Sequence, residues 1–160
     1  PDTFTIGDNS IVDDWSYFST RIEVGRNSHL CPCITIAGGR KHLFRLGDFS
    51  SIASGARIYC ASNDYRRGVI ALTPAGFDLP VIEIAGDVIF GNYTGVGANA
   101  VVMPNQDVPD GVAIGALSFV PPRFPFAPWT VYAGIPIRAR CARDRDQVLR
   151  TLGLWGVQQP

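Results

Sequence analysis

Apolar residues return at every sixth position along three stretches of this chain. The first stretch runs Ile6, Val12, Phe18, Val24, Leu30 and Ile36, and a second runs Leu46, Ile52 and Ile58. A third holds Ile84, Phe90, Val96, Val102, Val108, Ile114 and Val120 without a miss. Small or turn-forming residues follow many of these positions: Gly7, Gly25, Gly47, Ala53, Gly91, Gly97 and Gly115. A period of six matches neither the alternation of a simple strand nor the pitch of a helix. It predicts a unit of one short strand and one corner. Three such units close a triangular turn of 18 residues, so that Ile6 lies under Val24, Val96 under Ile114 and Val102 under Val120.

The expected fold is therefore an all-β parallel β-helix of hexapeptide repeats, in which each strand pairs with those above and below it. Two breaks interrupt the register. Ile36 to Leu46 is ten residues, one unit plus four, around Gly38-Gly39-Arg40-Lys41-His42. The step from Ile58 to Ile84 spans 26, and its Asn63, Asp64, Gly68, Pro74, Gly76 and Pro80 cannot continue a strand pattern. The reading is one domain over 1–160: coils over 1–58 with a small insertion at 37–45, an extended loop over 59–81, coils over 82–120, and a linker with a short helix over 121–160. Val148, Leu149 and Leu152 place that helix within Ala139 to Leu152, where it is expected to cap the open end of the coil.

Lys+Arg and Asp+Glu are 14 each among 160 residues, so the chain carries no net charge. That excludes the electrostatic footprint of a nucleic-acid binder. No clean apolar run reaches the roughly 18 residues of a membrane span. No basic-then-apolar leader opens the chain, and a cytoplasmic location is expected. Cys31-Pro32-Cys33 has one intervening residue where zinc and redox motifs use two or more, so Cys31, Cys33, Cys60 and Cys141 are read as reduced thiols and no metal is expected.

The C-terminal half is the most specific part. It reads GDVIFGNYTGVGANAVVMPNQDVPDGVAIGALSFV, followed by WTVYAGIPIRAR. Gly115, Ala116, Ser118 and Val120, then Ala133, Gly134, Pro136 and Arg138, resemble the coil-end motifs of the left-handed β-helix hexapeptide acyltransferases. The layout looks most like the branch that acetylates sugars and small xenobiotics. Left-handed coiling rests on this resemblance alone. The resemblance implies a homotrimer with active sites between subunits and acetyl-CoA lying along the groove between neighbouring coils. Ala98 and Ala116 are 18 apart, as are Gly97 and Gly115, so each pair forms a column beside which pantetheine would lie. Ala98, Gly115, Ala116, Pro136, Arg138 and Arg140 are the expected coenzyme residues, the arginines at the phosphate end.

In that family the usual base is a His on the mid-coil loop. Here the stretch reads Cys60-Ala61-Ser62-Asn63-Asp64-Tyr65 and has none. Asp64 is the candidate base, provided that burial raises its pKa, and Asn63 is the candidate for orienting the acceptor or holding the oxyanion. Tyr65, Arg66 and Arg67 are candidate contacts to a sugar or a nucleotide-sugar acceptor. Of the two histidines, His29 reads as a structural corner residue, while His42 sits on the smaller insertion. The expected activity is acetyl transfer to a sugar hydroxyl or amine, the two chemistries remaining level. The alternative is a non-catalytic trimeric β-helix that binds or scaffolds. A metalloenzyme of the γ-carbonic anhydrase type would need three His ligands, and the chain has two.

Overall fold

The computed structural model of the chain describes residues 4–67 and 82–154. The chain winds into a parallel β-solenoid with three faces. Phe4–Ile6, Arg21–Val24, Leu43–Leu46, Val88–Phe90 and Gln106–Val108 form the first face. The second stacks Ile11–Val12, His29–Leu30, Ser51–Ile52, Gly95–Val96, Ala113–Ile114 and Thr130–Ala133. The third stacks Tyr17–Phe18, Thr35–Ala37, Arg57–Tyr59, Val101–Val102 and Phe119–Val120. The 18-residue register is realised: Ile6 pairs with Val24, Val96 with Ile114 and Val102 with Val120.

The hexapeptide residues fill the prism. Leu30, Ile36, Ile52, Ile58, Val102 and Val120 are fully buried, while Ile6, at the open end, is exposed. Truncating one of the buried aliphatics to Ala would cost about 2–5 kcal/mol, because a stacked column has no neighbour able to collapse into the gap. The corners are held by side chains reaching between rungs. At the corner between the first and second faces, Ser10, Ser28, Ser50 and Thr94 form a hydroxyl ladder. Ser10 Oγ accepts from the Ser28 amide at 2.9 Å, Ser28 Oγ from the Ser50 amide at 3.1 Å, and Ser50 Oγ from the Thr94 amide at 2.9 Å. Beside it, the carboxamide of Asn92 accepts from the Asp48 amide, and the carboxylate of Asp110 from the Asn92 amide, both at 2.8 Å.

Three expectations change in detail. Ile84 does not enter the coil: it pairs antiparallel with Ser62 in a hairpin of Ala61–Asn63 and Glu83–Ala85, and the coil resumes at Val88–Phe90, where Val88 and Phe90 are buried. The coil also runs past Val120. Thr130–Ala133 stacks on Ala113–Ile114 and buries Tyr132 above Ile114, with Phe124 and Phe126 packed edge-on against the Tyr132 ring. Finally, Arg138–Ala142 is a strand, antiparallel to Thr130–Ala133, and the α-helix is Arg145–Leu154. That strand covers the sheet edge. The helix lies along the flank of the coil, where Val148 and Leu152 line one pocket together with Asn27, Phe49 and Tyr93.

Candidate active site

Both insertions leave the coil at one corner, between the third and first faces. The shorter one ends at His42, whose carbonyl accepts from Thr20 Oγ1 at 2.6 Å and whose ring lies 3.9 Å from Asp87. The longer one begins with the Ala61–Asn63 strand and passes into a single 3₁₀ turn, Tyr65–Arg67. Residues 68–81, which hold the Gly68, Pro74, Gly76 and Pro80 of the expected loop, lie outside the described residues.

Asp64 sits where strand becomes turn. Its amide donates to the Ile82 carbonyl at 2.9 Å, and its carboxylate caps the turn by accepting the Arg66 amide at 3.2 Å. Arg66 Nε lies 3.3 Å from Oδ1 and Arg67 Nε 3.5 Å from Oδ2. The carboxylate side chain is 7% exposed, while Arg66 and Arg67 stand mostly in solvent at 83% and 70%. The raised pKa on which a role as base depends is not what these surroundings favour. Hydrogen bonding from Arg66 outweighs desolvation and holds the carboxyl below its ordinary value, with the Arg66 and Arg67 charges adding to the effect. Asp64 is thus an ionised acceptor at neutral pH, suited to holding an N–H and poorly suited to stripping a hydroxyl.

A cleft of about 450 Å³ opens over this carboxylate, lined by Asp64, Arg66, Arg67, Glu83, Pro122 and Arg123 among others. Three guanidinium groups against two carboxylates suit an anionic acceptor. Asn63 is half-buried and faces Glu83 across the hairpin, and Tyr65 is exposed, but neither is among the residues that line the cleft. Arg123 is missing from the sequence reading. The signal was present, since Arg123 lies 18 residues after Asn105 in the same corner column and donates its amide to the Asn105 carbonyl.

The residues expected at the coenzyme lie at a different corner, between the second and third faces. The Leu117 amide donates to the Ala98 carbonyl at 2.9 Å, and Gly115 donates to Tyr132 at 2.7 Å, so the small residues do form a column of successive rungs. Part of their smallness is structural: a Cβ on Gly97 would fall 2.3 Å from the Ala116 nitrogen. Ala116 and Pro136 are exposed and Ala98 and Gly115 half-buried. Arg138 and Arg140 project from the edge strand, and Arg140 Nε donates to the Ala133 carbonyl at 3.1 Å, beside Gly134 of the same column. One face of the prism therefore separates this column from the Asp64 cleft within a single chain.

No protein-family model matches the chain. Among characterised proteins it is 29% identical over 147 residues to a dTDP-4-amino-4,6-dideoxy-D-glucose acyltransferase of Escherichia coli, covering 90% of this chain and 74% of that protein. It is also 29% identical over 161 residues to a chloramphenicol acetyltransferase of Agrobacterium fabrum, covering 92% and 76%. The fold superposes on AntD, an N-acyltransferase from Bacillus cereus solved with dTDP and 3-hydroxybutyryl-CoA, with a TM-score of 0.84, 27% identity, and coverage of 97% of this chain and 80% of that one. The chain is a β-solenoid, and in sequence and in fold alike the proteins it is similar to are acyltransferases.

Proposed function

We propose that the enzyme is an N-acetyltransferase that uses acetyl-CoA and acts on the amine of a nucleotide-linked amino sugar. The observation that carries this reading is the ionised, arginine-held carboxylate of Asp64 at the floor of the cationic cleft. An amine needs no strong base once its ammonium has lost a proton to solvent. It needs a partner that holds one N–H so that the lone pair faces the thioester. The similarity to an amino-sugar acyltransferase and to an N-acyltransferase solved with dTDP supports the same acceptor class.

In this mechanism Arg66, Arg67 and Arg123 hold the acceptor's diphosphate and Tyr65 meets the sugar or base. Asp64 accepts a hydrogen bond from the amine, whose nitrogen attacks the thioester carbonyl carbon. The carboxamide of Asn63 donates to the oxyanion as the C–N bond forms. The C–S bond then breaks, the coenzyme leaves as thiolate, and the amine proton passes to solvent.

We further propose that the active unit is a homotrimer. Ala98, Gly115, Ala116, Pro136, Arg138 and Arg140 lie one face away from Asp64, so a neighbouring subunit would bring its coenzyme column to the cleft. A cytoplasmic location belongs to the same reading, in keeping with the four free cysteines.

The test is coenzyme release from acetyl-CoA, with a dTDP-linked 4-amino sugar compared against the corresponding 4-hydroxy sugar. Release with the amino sugar alone is expected. No release with either, while acetyl-CoA still binds, would instead favour a non-catalytic binding protein in which Asp64 serves only to cap its turn.

A further inference from the structure

Asp13, His29 and Cys31 meet on the outer side of the second face. Cys31 follows Asp13 by 18 residues, which puts the two in one column on successive rungs, and His29 is two residues before Cys31 on the same outward side. The His29 ring stands between them. Its Nε2 is 2.8 Å from Asp13 Oδ2, and its Nδ1 is 3.8 Å from Cys31 Sγ. Donor atoms from all three residues lie within 4.8 Å of one another. His29 is therefore a strand residue engaged on both ring nitrogens, where the sequence reading made it a structural corner.

We propose that His29 and Cys31 form a binding site for a soft divalent cation, Zn²⁺ above all, with Asp13 as the carboxylate that orients the imidazole. The spacing fits. Zinc bonded to sulfur at ~2.3 Å and to nitrogen at ~2.0 Å, at a tetrahedral angle, separates the two donors by about 3.5 Å. The observed 3.8 Å needs only a small closure. The carboxylate on the far ring nitrogen is the usual second partner of a metal-bound histidine, since it fixes the tautomer and raises the basicity of the ligating nitrogen. A thiolate and a carboxylate also balance the charge of a divalent ion, and thiolate with imidazole selects soft ions over Mg²⁺ or Ca²⁺. His29 and Asp13 are 41% and 38% exposed, so an ion can enter from solvent and water can complete its shell. The rejected Cys31-Pro32-Cys33 motif is not the site. The ligands come from His29-Leu30-Cys31 and from the rung beneath.

The test titrates Co²⁺ into the reduced full chain carrying Cys33→Ser and Cys141→Ser, which removes the two exposed thiols. The expected result is one Co²⁺ per chain, with a thiolate-to-cobalt charge-transfer band that Zn²⁺ bleaches. Cys31→Ser abolishes the band, and Asp13→Asn weakens binding about tenfold. The absence of a charge-transfer band in the otherwise unaltered chain would overturn the proposal, as would a band that survives His29→Ala with unchanged affinity. His29 and Asp13 are partly exposed and Cys31 is partly buried beside the core; Cys31→Ser keeps its size, and far-ultraviolet circular dichroism of each variant is expected to match the parent.

Discussion

Arg66 donates twice to one oxygen of Asp64, through its backbone amide at 3.2 Å and its Nε at 3.3 Å. A carboxylate so held is not a poised base. It is a fixed negative acceptor, and the proposed transfer to an amine rests on that.

Asp64→Asn is expected to lower kcat/KM for the amino-sugar acceptor by about tenfold, as replacing a charged acceptor by a neutral one implies. The pH profile of the parent enzyme separates the roles. Because the Asp64 pKa lies below its ordinary value, the carboxylate is already ionised on the acid side of neutrality and adds no limb there. Rate should rise with pH as the acceptor's ammonium deprotonates. A limb that disappears in Asp64→Asn, in place of one that follows the acceptor's pKa, would show Asp64 acting as the base.

Arg138→Ala should raise the apparent KM for acetyl-CoA about tenfold with kcat nearly unchanged, as loss of one charge-assisted phosphate contact implies. If the site spans two subunits, the two lesions complement each other. Subunits carrying Asp64→Asn, mixed and reassembled with subunits carrying Arg138→Ala, should regain about a quarter of parental sites by random assortment in a cyclic trimer. Activity that never exceeds the average of the two parents would place both residues in a single-chain site.

The core of this fold was legible because its period is strict. One inward residue per six, read with an 18-residue stack, placed Ile6 under Val24 and Val102 under Val120 before any coordinates. Ile84 misled for a physical reason: it is six residues before Phe90 and apolar, and periodicity cannot distinguish a hairpin residue from a coil residue at one position. The Asp64 pKa was not legible, since its direction depends on two arginines folding back over one turn. The Asp13–His29 contact was accessible in principle, because the same 18-residue register pairs Ile11 with His29.

Gly111→Ala tests the flank on which the helix rests. Phe49, Tyr93 and Trp129 stack at that corner with ring centroids 5.7 and 5.8 Å apart, and the Trp129 ring lies over the slot at Gly111. A Cβ there would fall 2.3 Å from the indole, at a φ of +73° that alanine disfavours. Left-handed backbone and overpacking together predict a loss of about 2–4 kcal/mol in denaturant unfolding. A change within about 0.5 kcal/mol would mean that the stack is not held as described.

Arg143 anchors the start of that flank. Its guanidinium donates to the carbonyls of Tyr93 and Gly111, and burial lowers its pKa. Arg143→Met leaves both acceptors without that donor and should cost about 1–3 kcal/mol. Pairing it with Leu152→Asp should release the Arg145–Leu154 helix and diminish the helical signal in circular dichroism, with the β signal of the coil retained.

The central claim is that the enzyme acetylates nitrogen on a nucleotide-linked sugar. The most direct measurement is mass analysis of the product formed from acetyl-CoA and a dTDP-linked 4-amino sugar, with the 4-hydroxy sugar in parallel. The account predicts an acetamide from the first and an unchanged second. Equal acetylation of the two sugars, or an ester at another hydroxyl of the amino sugar, would contradict it.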